Sequence, residues 1–310
     1  MIPASYLKLK ETGDLRLRVQ QAWDLLASCT LCPHKCGVNR RENETGFCKT
    51  GVHPVIASYG PHFGEEPPLV GQHGSGTIFF SRCNLRCSYC QNYTISQESC
   101  GQPVGCMELA DIMLQLQAMK CHNINLVSPT HVVPQILAAV EIASGSGLVI
   151  PLVYNTGTYD DCKTLGLLDG VVDIYMPDAK YGRDDVALVL SGIPDYSQVM
   201  KSALREMYRQ VGDLVCGGGV AERGLIIRHL VLPDNLANSE LVMGFIASEL
   251  SRDTYVNIMA QYHPAWKVLE GTINPRYRAM RRPVTVREHE YATSCARAAG
   301  LHRGFEGRGC

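Results

Sequence analysis

Short apolar runs alternate with amphipathic stretches along the chain from about residue 76 onward. The runs lack the apolar and polar alternation of a half-exposed strand, which is typical of strands buried on both faces of a parallel sheet. Between them, apolar residues recur at the three- and four-residue intervals of one helix face. The predicted strands are 77–80, 124–127, 148–154, 171–176, 225–232 and 255–260, and the helical stretches are 109–119, 136–140, 196–207 and 241–246.

Six strand–helix units in series predict an α/β fold, because right-handed crossovers between parallel strands can curl such a series into an open barrel. We therefore predict a partial (β/α)6 barrel over 76–265. Segment 1–75 lacks this rhythm and is rich in Gly, Pro, His and Cys, which predicts a Cys-rich, metal-binding cap. Within 266–310, Thr285 and Glu288 have capping-box spacing, which predicts a C-terminal extension with one helix that ends near Gly300.

Composition and charge narrow the class of protein. Of the 310 residues, 45% are hydrophobic, and Lys plus Arg (29) nearly balances Asp plus Glu (30). That balance argues against nucleic acid as a partner. The longest apolar run, 148–154, is much too short to span a bilayer. Since no basic region followed by an apolar core opens the chain, we expect no secretory signal, no membrane anchor and a reducing cytoplasm.

Three cysteines directly after the first predicted strand carry the clearest chemistry. Cys83, Cys87 and Cys90 have the spacing Cys-x3-Cys-x2-Cys, and no fourth cysteine follows at ferredoxin spacing. Iron–sulfur clusters are normally held by four thiolates, so three predict a [4Fe-4S] cluster with one iron left open for a ligand. In barrels, ligand chemistry lies at the carboxyl ends of the strands, where this loop begins. The alternative, a structural zinc ion, would need a fourth ligand.

A second group of cysteines lies in the N-terminal segment. Cys29, Cys32, Cys36 and Cys48 have the spacing Cys-x2-Cys-x3-Cys-x11-Cys. Four thiols within twenty residues predict a metal site. The spacing matches neither the usual zinc fingers nor the usual ferredoxins, and both zinc and a cubane accept four thiolates. The site is therefore a second iron–sulfur cluster or a zinc site.

The cysteine loop, with Tyr89 before its last cysteine, resembles the signature of radical S-adenosylmethionine proteins. Motifs that begin at Cys32, Glu65 and Gly74 make the chain similar to the pyruvate formate-lyase activating enzymes, in a branch with an N-terminal cysteine cluster. This resemblance implies that the open iron binds S-adenosylmethionine. It also implies that an electron from the cluster cleaves this cofactor to a 5′-deoxyadenosyl radical, which abstracts hydrogen from a substrate.

The same resemblance implies cofactor contacts from later strands. The residues that match the group's motifs are Asp178, Lys180, Arg228, His263 and Asn155. A guanidinium such as that of Arg228 can grip the methionyl carboxylate. After the second predicted strand, the group's Gly-Gly-Glu-Pro is replaced by Val-Ser-Pro-Thr-His at 127–131. Ser128 and Thr130 are therefore the candidates to receive the cofactor's amino group.

Three functional hypotheses follow. The resemblance favours an enzyme that abstracts a glycine hydrogen from a partner glycyl-radical protein, with a flavodoxin- or ferredoxin-type reductant. A second hypothesis is radical modification of a small molecule or peptide within the barrel, since a family relation does not define a substrate. The third is an iron–sulfur or zinc protein that transfers electrons or binds partners without catalysis.

Overall fold

The computed structural model describes residues 2–305. Met1 and segment 306–310, the end of the predicted C-terminal extension, lie outside the described residues. The strands within that range are β1 Val55–His62, β2 Ser75–Phe80, β3 Gln102–Pro103, β4 Ile124–Val127, β5 Leu152–Thr156, β6 Ile174–Pro177, β7 Val215–Gly217, β8 Val220–Leu230 and β9 Tyr255–Met259. They all belong to one sheet.

Six of the strands are parallel and follow one another through the sheet in chain order. They are β2, β4, β5, β6, β8 and β9, each paired with the next. β1 pairs antiparallel with β2, and β3 continues that edge beyond β1. As far as residues 2–305 show, the sheet ends at β3 on one side, and on the other side β8 pairs antiparallel with β7 and parallel with β9. The predicted α/β class, with six parallel strands in an unclosed sheet, is confirmed.

The helices between the strands bury most of the stripes that the sequence predicts, but Met119 and Leu241 at the ends of two stripes are exposed. The α-helices of the described chain are α1 Tyr6–Thr12, α2 Asp14–Asp24, α3 Pro67–Val70, α4 Tyr93–Ser96, α5 Cys106–Ala118, α6 Val133–Gly145, α7 Cys162–Leu167, α8 Asp184–Ser191, α9 Tyr196–Val211, α10 Ser239–Glu249, α11 Lys267–Glu270 and α12 Val286–Ala299. The predicted stripes fall on α5, α6, α9 and α10. Thr285 and Glu288 form the predicted capping box of α12, and Gly300 follows its last turn with a φ of 89°.

The sequence pattern misses the antiparallel strands. In β1 only Val55 and Ile56 are buried, so most of this edge strand lacks the apolar run by which the other strands are recognised. The run at 148–154 predicts a strand that is too long. The observed strand begins at Leu152, because Pro151 has no N–H to donate to the hydrogen bonds of the sheet.

Segment 1–75 is joined to the rest of the chain by a strand and by helix packing. β1 is hydrogen-bonded along β2, while α2 packs against α6 and α7. The proposed boundary at residue 75 stays a prediction. No helix within residues 2–305 combines the length and the apolar character that crossing a bilayer requires.

A buried histidine ties the sheet to the helix layer. His229, on β8, is fully buried. Its Nδ1 lies 2.7 Å from the Ala179 carbonyl oxygen after β6, and its Nε2 lies 2.9 Å from the Ser239 hydroxyl of α10. Because a carbonyl oxygen can only accept, Nδ1 carries a proton, and the Ser239 hydroxyl can donate to the bare Nε2 of the neutral imidazole. Burial lowers the pKa of His229 to about 4.

This burial predicts a loss of stability in mild acid. Because the pKa of His229 is near 6.5 in the unfolded chain and about 4 in the folded one, the unfolded chain takes up the proton first. Its contribution is intact above pH 6.5 and falls by about 1.4 kcal/mol per pH unit below it. We expect His229→Asn to flatten the pH dependence of the unfolding free energy between pH 6.5 and 5. The exposed control His53→Gln should keep the wild-type slope, and parallel slopes for all three proteins would contradict the assignment.

Candidate functional site

The loop after β2 gathers the three predicted cluster ligands at the carboxyl edge of the parallel strands. Each thiol has a polar partner that can stabilise a thiolate. The Leu85 N–H donates to the Cys83 Sγ at 3.3 Å, and the Ser191 hydroxyl donates to the Cys87 Sγ at 3.0 Å. The Cys90 Sγ lies 3.2 Å from the Ser96 Oγ. Hydrogen bonds to sulfur are among the means by which proteins tune iron–sulfur clusters.

Two of these thiols, those of Cys83 and Cys87, are costly to ionise without a cation beside them. Burial raises the pKa of Cys83 to about 12, and the Cys87 and Cys90 thiols add to the shift. Burial also raises the pKa of Cys87, while the Lys180 ammonium lowers it. A metal ligand must be the deprotonated thiolate. The donor set thus suits a strongly cationic group that supplies the missing positive charge.

No group of three or more His, Cys, Asp or Glu side chains within residues 2–305 is placed to hold a single metal ion. A cubane cluster makes a different demand on its ligands. Each of its thiolates binds a different iron, whereas a zinc ion draws its sulfurs to about 2.3 Å from one centre. Three hydrogen-bonded thiols in one short loop, with Cys87 buried and Cys83 and Cys90 partly buried, therefore fit a cluster on the chemistry of the donor set.

Beside the cysteine loop, charged side chains from three strands meet around Asp178. Lys180 Nζ lies 2.6 Å from Asp178 Oδ2, and Arg228 Nε lies 2.8 Å from Asp178 Oδ1. Arg228 Nη2 also donates to Asn155 Oδ1 at 2.6 Å. Burial alone would raise the pKa of Asp178, but Arg228 and Lys180 bring it below the ordinary value. The structure thus brings together Asp178, Lys180, Arg228 and Asn155, as the sequence predicts.

The other predicted cofactor contacts are placed differently. Tyr89 is buried, with its hydroxyl 2.7 Å from the hydroxyl of Tyr181. His263 is exposed, and its Nδ1 lies 3.0 Å from Nε2 of Gln91, next to the last cysteine of the loop. Ser128 has a φ of 58°, and its N–H donates to the carbonyl oxygen of Asn155 at 2.9 Å.

Thr130 contacts the buried carboxylate of Asp160, a residue that the sequence analysis does not identify as part of a site. Its hydroxyl donates to Asp160 Oδ1 at 2.7 Å, and the hydroxyls of Thr156 and Tyr154 donate to the same carboxylate at 2.7 and 2.9 Å. Burial raises the pKa of Asp160, and these hydroxyls oppose the rise. Thr130 is thus part of a hydrogen-bonded network inside the fold, and its role towards the cofactor's amino group stays a prediction.

Sequence reasoning also assigned no role to two buried polar residues inside the barrel. Glu66 is 5% exposed, and Asn125, in the middle of β4, is fully buried. The sequence carries a recognisable feature at both residues. Asn125 interrupts an otherwise apolar strand, and Glu66 stands between an acidic residue and two prolines. A polar residue within a buried strand needs a partner, which makes it a candidate for a binding site.

The four N-terminal cysteines line one cavity, together with Arg40 and His131. The Phe47 N–H donates to the Cys36 Sγ at 3.4 Å. Burial raises the pKa of Cys32 to about 12, and the thiols of the other three cysteines add to the shift. The predicted ligands Cys29, Cys32, Cys36 and Cys48 are therefore close enough to repel one another as thiolates, which is the situation that a bound metal relieves.

A buried chain of contacts joins this second group of cysteines to the first. Arg40 is 1% exposed, lies 4.0 Å from the Cys29 Sγ, and donates to the His131 carbonyl at 2.7 Å. The His131 ring in turn lies 3.0 Å from the Ser81 carbonyl, two residues before Cys83. Segment 127–131, where the sequence departs from the activating enzymes, thus connects the two cysteine groups.

The ion pairs that Asp178 forms with Lys180 and Arg228 predict a measurable contribution to stability. Asp178→Asn leaves Lys180 and Arg228 buried without their common counter-charge, so we expect the unfolding free energy to fall by about 3 kcal/mol. The matched control Glu249→Gln, which breaks an exposed pair with Arg205, should cost less than about 1 kcal/mol. Anaerobic urea denaturation at equal iron content measures both. Equal losses for the two variants would contradict the assignment.

No family model matches the chain. Two solved structures have a low level of similarity to the chain. A radical SAM methyltransferase from Sphaerobacter thermophilus has a TM-score of 0.47 and 15% sequence identity, over 75% of this chain and 66% of the methyltransferase. HydG, a maturase of the [FeFe]-hydrogenase, has a TM-score of 0.49 and 12% sequence identity, over 72% of this chain and 48% of HydG. Likenesses with TM-scores below 0.5 establish neither a common fold nor a common activity. The uncharacterized protein MJ0674 of Methanocaldococcus jannaschii is 32% identical over 297 residues, which cover 93% of this chain and 79% of that protein. The chain belongs to the same family as MJ0674.

Proposed function

We propose that the chain is a radical S-adenosylmethionine enzyme. The observation that carries this proposal is the grouping of Cys83, Cys87 and Cys90 in one largely buried loop at the carboxyl edge of the sheet, with Lys180 and Asp178 beside them. Three thiols of that spacing leave one corner of a [4Fe-4S] cluster for a cofactor. When bound, the cluster supplies the electron that cleaves S-adenosylmethionine to a hydrogen-abstracting 5′-deoxyadenosyl radical.

The chain's own residues bind, orient and shield the reactants. Arg228 uses Nε and Nη2 for Asp178 and Asn155, and Nη1 carries two further N–H donors that suit a carboxylate. Asp178 can accept hydrogen bonds from the hydroxyls or ammonium of a bound cofactor. Lys180 adds positive charge beside the thiolates, since its pKa stays above the ordinary value through Asp178 despite burial. Burial of the loop keeps water away from the reacting atoms.

Anaerobic reconstitution tests this proposal. We expect the dithionite-reduced protein to form 5′-deoxyadenosine from S-adenosylmethionine, measured by chromatography. Cys87→Ala should reduce the product to background, because two thiolates cannot hold the cluster. The matched control Cys162→Ala, at an exposed cysteine, should keep wild-type activity.

One result would reject catalysis in favour of an electron-transfer or binding protein. That result is a fully loaded wild-type protein that is reduced and reoxidised reversibly but forms no 5′-deoxyadenosine, with or without cell lysate as a source of substrate. A glycyl-radical signal on a co-purified partner would instead identify an activating enzyme.

We also propose that Cys29, Cys32, Cys36 and Cys48 hold a second metal centre, an auxiliary [4Fe-4S] cluster. The four thiols share one cavity, and Arg40 places a buried positive charge 4.0 Å from the Cys29 Sγ. The contacts from Arg40 through His131 to Ser81 keep this centre beside the first cysteine loop. An auxiliary cluster in that position could relay or tune electrons for the first one.

Metal counting separates the two centres. We expect about eight irons per chain in the wild type and about four after Cys32→Ala with Cys36→Ala, since each [4Fe-4S] cluster contributes four. Cys162→Ala is again the control and should keep about eight. About four irons and one zinc in the wild type would replace the auxiliary cluster by a zinc site. About four irons and no zinc would remove the second centre altogether.

A further inference from the structure

A group of polar side chains lies inside the barrel, away from the cysteine loop, and the proposed function does not account for it. We name it the lumen cluster: Glu65, Glu66, Asn125, Asn257 and Arg228. Its members come from β4, β8, β9 and the segment before α3. Asn257 Nδ2 donates to Glu66 Oε1 at 3.0 Å, and Arg228 Nε lies 3.9 Å from the same oxygen. Arg228 and the Asn125 amide both lie close enough to Glu65 to lower its pKa, against the larger effect of burial.

The lumen cluster has a defined depth in the barrel. Side chains two residues apart on a strand face the same way, so Ile226 lies one layer below Arg228 on β8. Ile226 belongs to a buried apolar group with Leu69, Val153, Ile174 and Met176. The Leu69 N–H donates to the Glu66 carbonyl at 2.8 Å, which places Glu66 directly above this apolar floor. On its other side, Arg228 reaches Asp178 and Asn155. Glu66 and Arg228 therefore lie between this apolar group and the Asp178 group, while Asn125 pairs in register with Val153 of the apolar group.

Two members of the lumen cluster have polar atoms that the protein leaves without partners. Glu66 Oε2 and both side-chain polar atoms of Asn125 make no hydrogen bond of good geometry with residues 2–305, although the Asn125 amide lies near the Glu65 carboxyl group. Glu66 is 5% exposed and Asn125 is fully buried. Burying such groups without partners costs about 1–3 kcal/mol each. Structures retain that cost where a ligand receives the hydrogen bonds. The pattern offers two acceptors, Glu66 Oε2 and Asn125 Oδ1, and one donor.

The charges define what kind of ligand fits. Glu65, Glu66 and Asp178 carry up to three negative charges, against the two positive charges of Arg228 and Lys180. Asp178 already binds both cations, so within residues 2–305 the Glu66 carboxylate has Arg228, at 3.9 Å, as its cationic contact and a neutral hydrogen bond from Asn257. A ligand with a positive charge and several N–H donors would complete this group. Ammonium, amidinium and guanidinium groups have these properties.

We propose that the lumen cluster is the substrate subsite and that it binds the amine or amidine cation of a small molecule, with Glu66 and Asn125 as its acceptors. This assignment rests on the proposed radical function. It selects the small-molecule hypothesis over glycine activation in a partner protein. Arg228 contacts both the lumen cluster and the Asp178 group, so a cation held by Glu66 lies next to the cofactor end, where hydrogen abstraction takes place.

The test uses n-propylamine, which is protonated at neutral pH, and anaerobic protein with its clusters loaded. Saturation-transfer NMR measures the Kd, which we expect on the order of 1–10 mM for so small a cation. Glu66→Gln should weaken binding about tenfold or more, because it removes a charge-assisted hydrogen bond. Asn125→Leu should weaken it as well, and it should fold, since it removes unpartnered polar atoms. Glu270→Gln, at an exposed carboxylate outside the cluster, should bind like the wild type.

Several results would overturn the assignment. One is the absence of saturable propylamine binding in the wild type, and another is equal binding by wild type, Glu66→Gln and Asn125→Leu. Tighter binding of neutral propionamide or of propionate would reject the cationic ligand. Competitive displacement of propylamine by S-adenosylmethionine would assign the cluster to the cofactor's own ammonium and so reject a substrate subsite.

The same preparations separate this assignment from the proposed function. Formation of 5′-deoxyadenosine without Glu66-dependent amine binding would reject the subsite and leave the radical function intact. Glu66-dependent amine binding without 5′-deoxyadenosine would reject the radical function and leave a cation-binding barrel.

Discussion

Asp178 stands between two buried cations, and each of its carboxylate oxygens serves one of them: Oδ2 lies 2.6 Å from Lys180 Nζ and Oδ1 lies 2.8 Å from Arg228 Nε. Each cation alone would carry a large desolvation cost at this depth, because transfer of an isolated charge out of water costs several kcal/mol. Lys180 faces the cysteine thiols, and Arg228 reaches the polar lumen. One carboxylate thus maintains the charge at both ends of the candidate site.

Segment 127–131 has a structural role, because it connects the two cysteine groups. Thr130 is bonded to Asp160, while His131 receives Arg40 on its carbonyl and reaches Ser81 with its ring. Burial lowers the pKa of His131 to about 3, and Arg40 lowers it further, so the ring is neutral in this position. Metal binding in the N-terminal segment would therefore affect the loop of Cys83 through these contacts. The departure from the activating enzymes at these residues and the added cysteines are two parts of one packing arrangement.

Buried parallel strands are recognisable because both faces must be apolar, and for that reason six strands and four helix stripes follow from periodicity alone. Edge strands carry no such constraint, and β1 goes unrecognised because only Val55 and Ile56 are buried in it. Site residues also differ in how far the sequence alone reveals them. The cysteines and Asp178 stand in local motifs, whereas Glu66 and Asn257 meet only through the fold, with 191 positions between them. Such long-range pairs leave no periodic trace in a sequence.

The depth of the lumen cluster bears on what can reach it. Arg228 lies on one side of Glu66, and the apolar group of Leu69 lies on the other. Entering a peptide also brings backbone N–H and C=O groups that each need a partner in the barrel. A small cation makes a lesser demand, since it brings few polar groups that need partners. The unpartnered buried acceptors therefore match a compact ligand better than an extended chain.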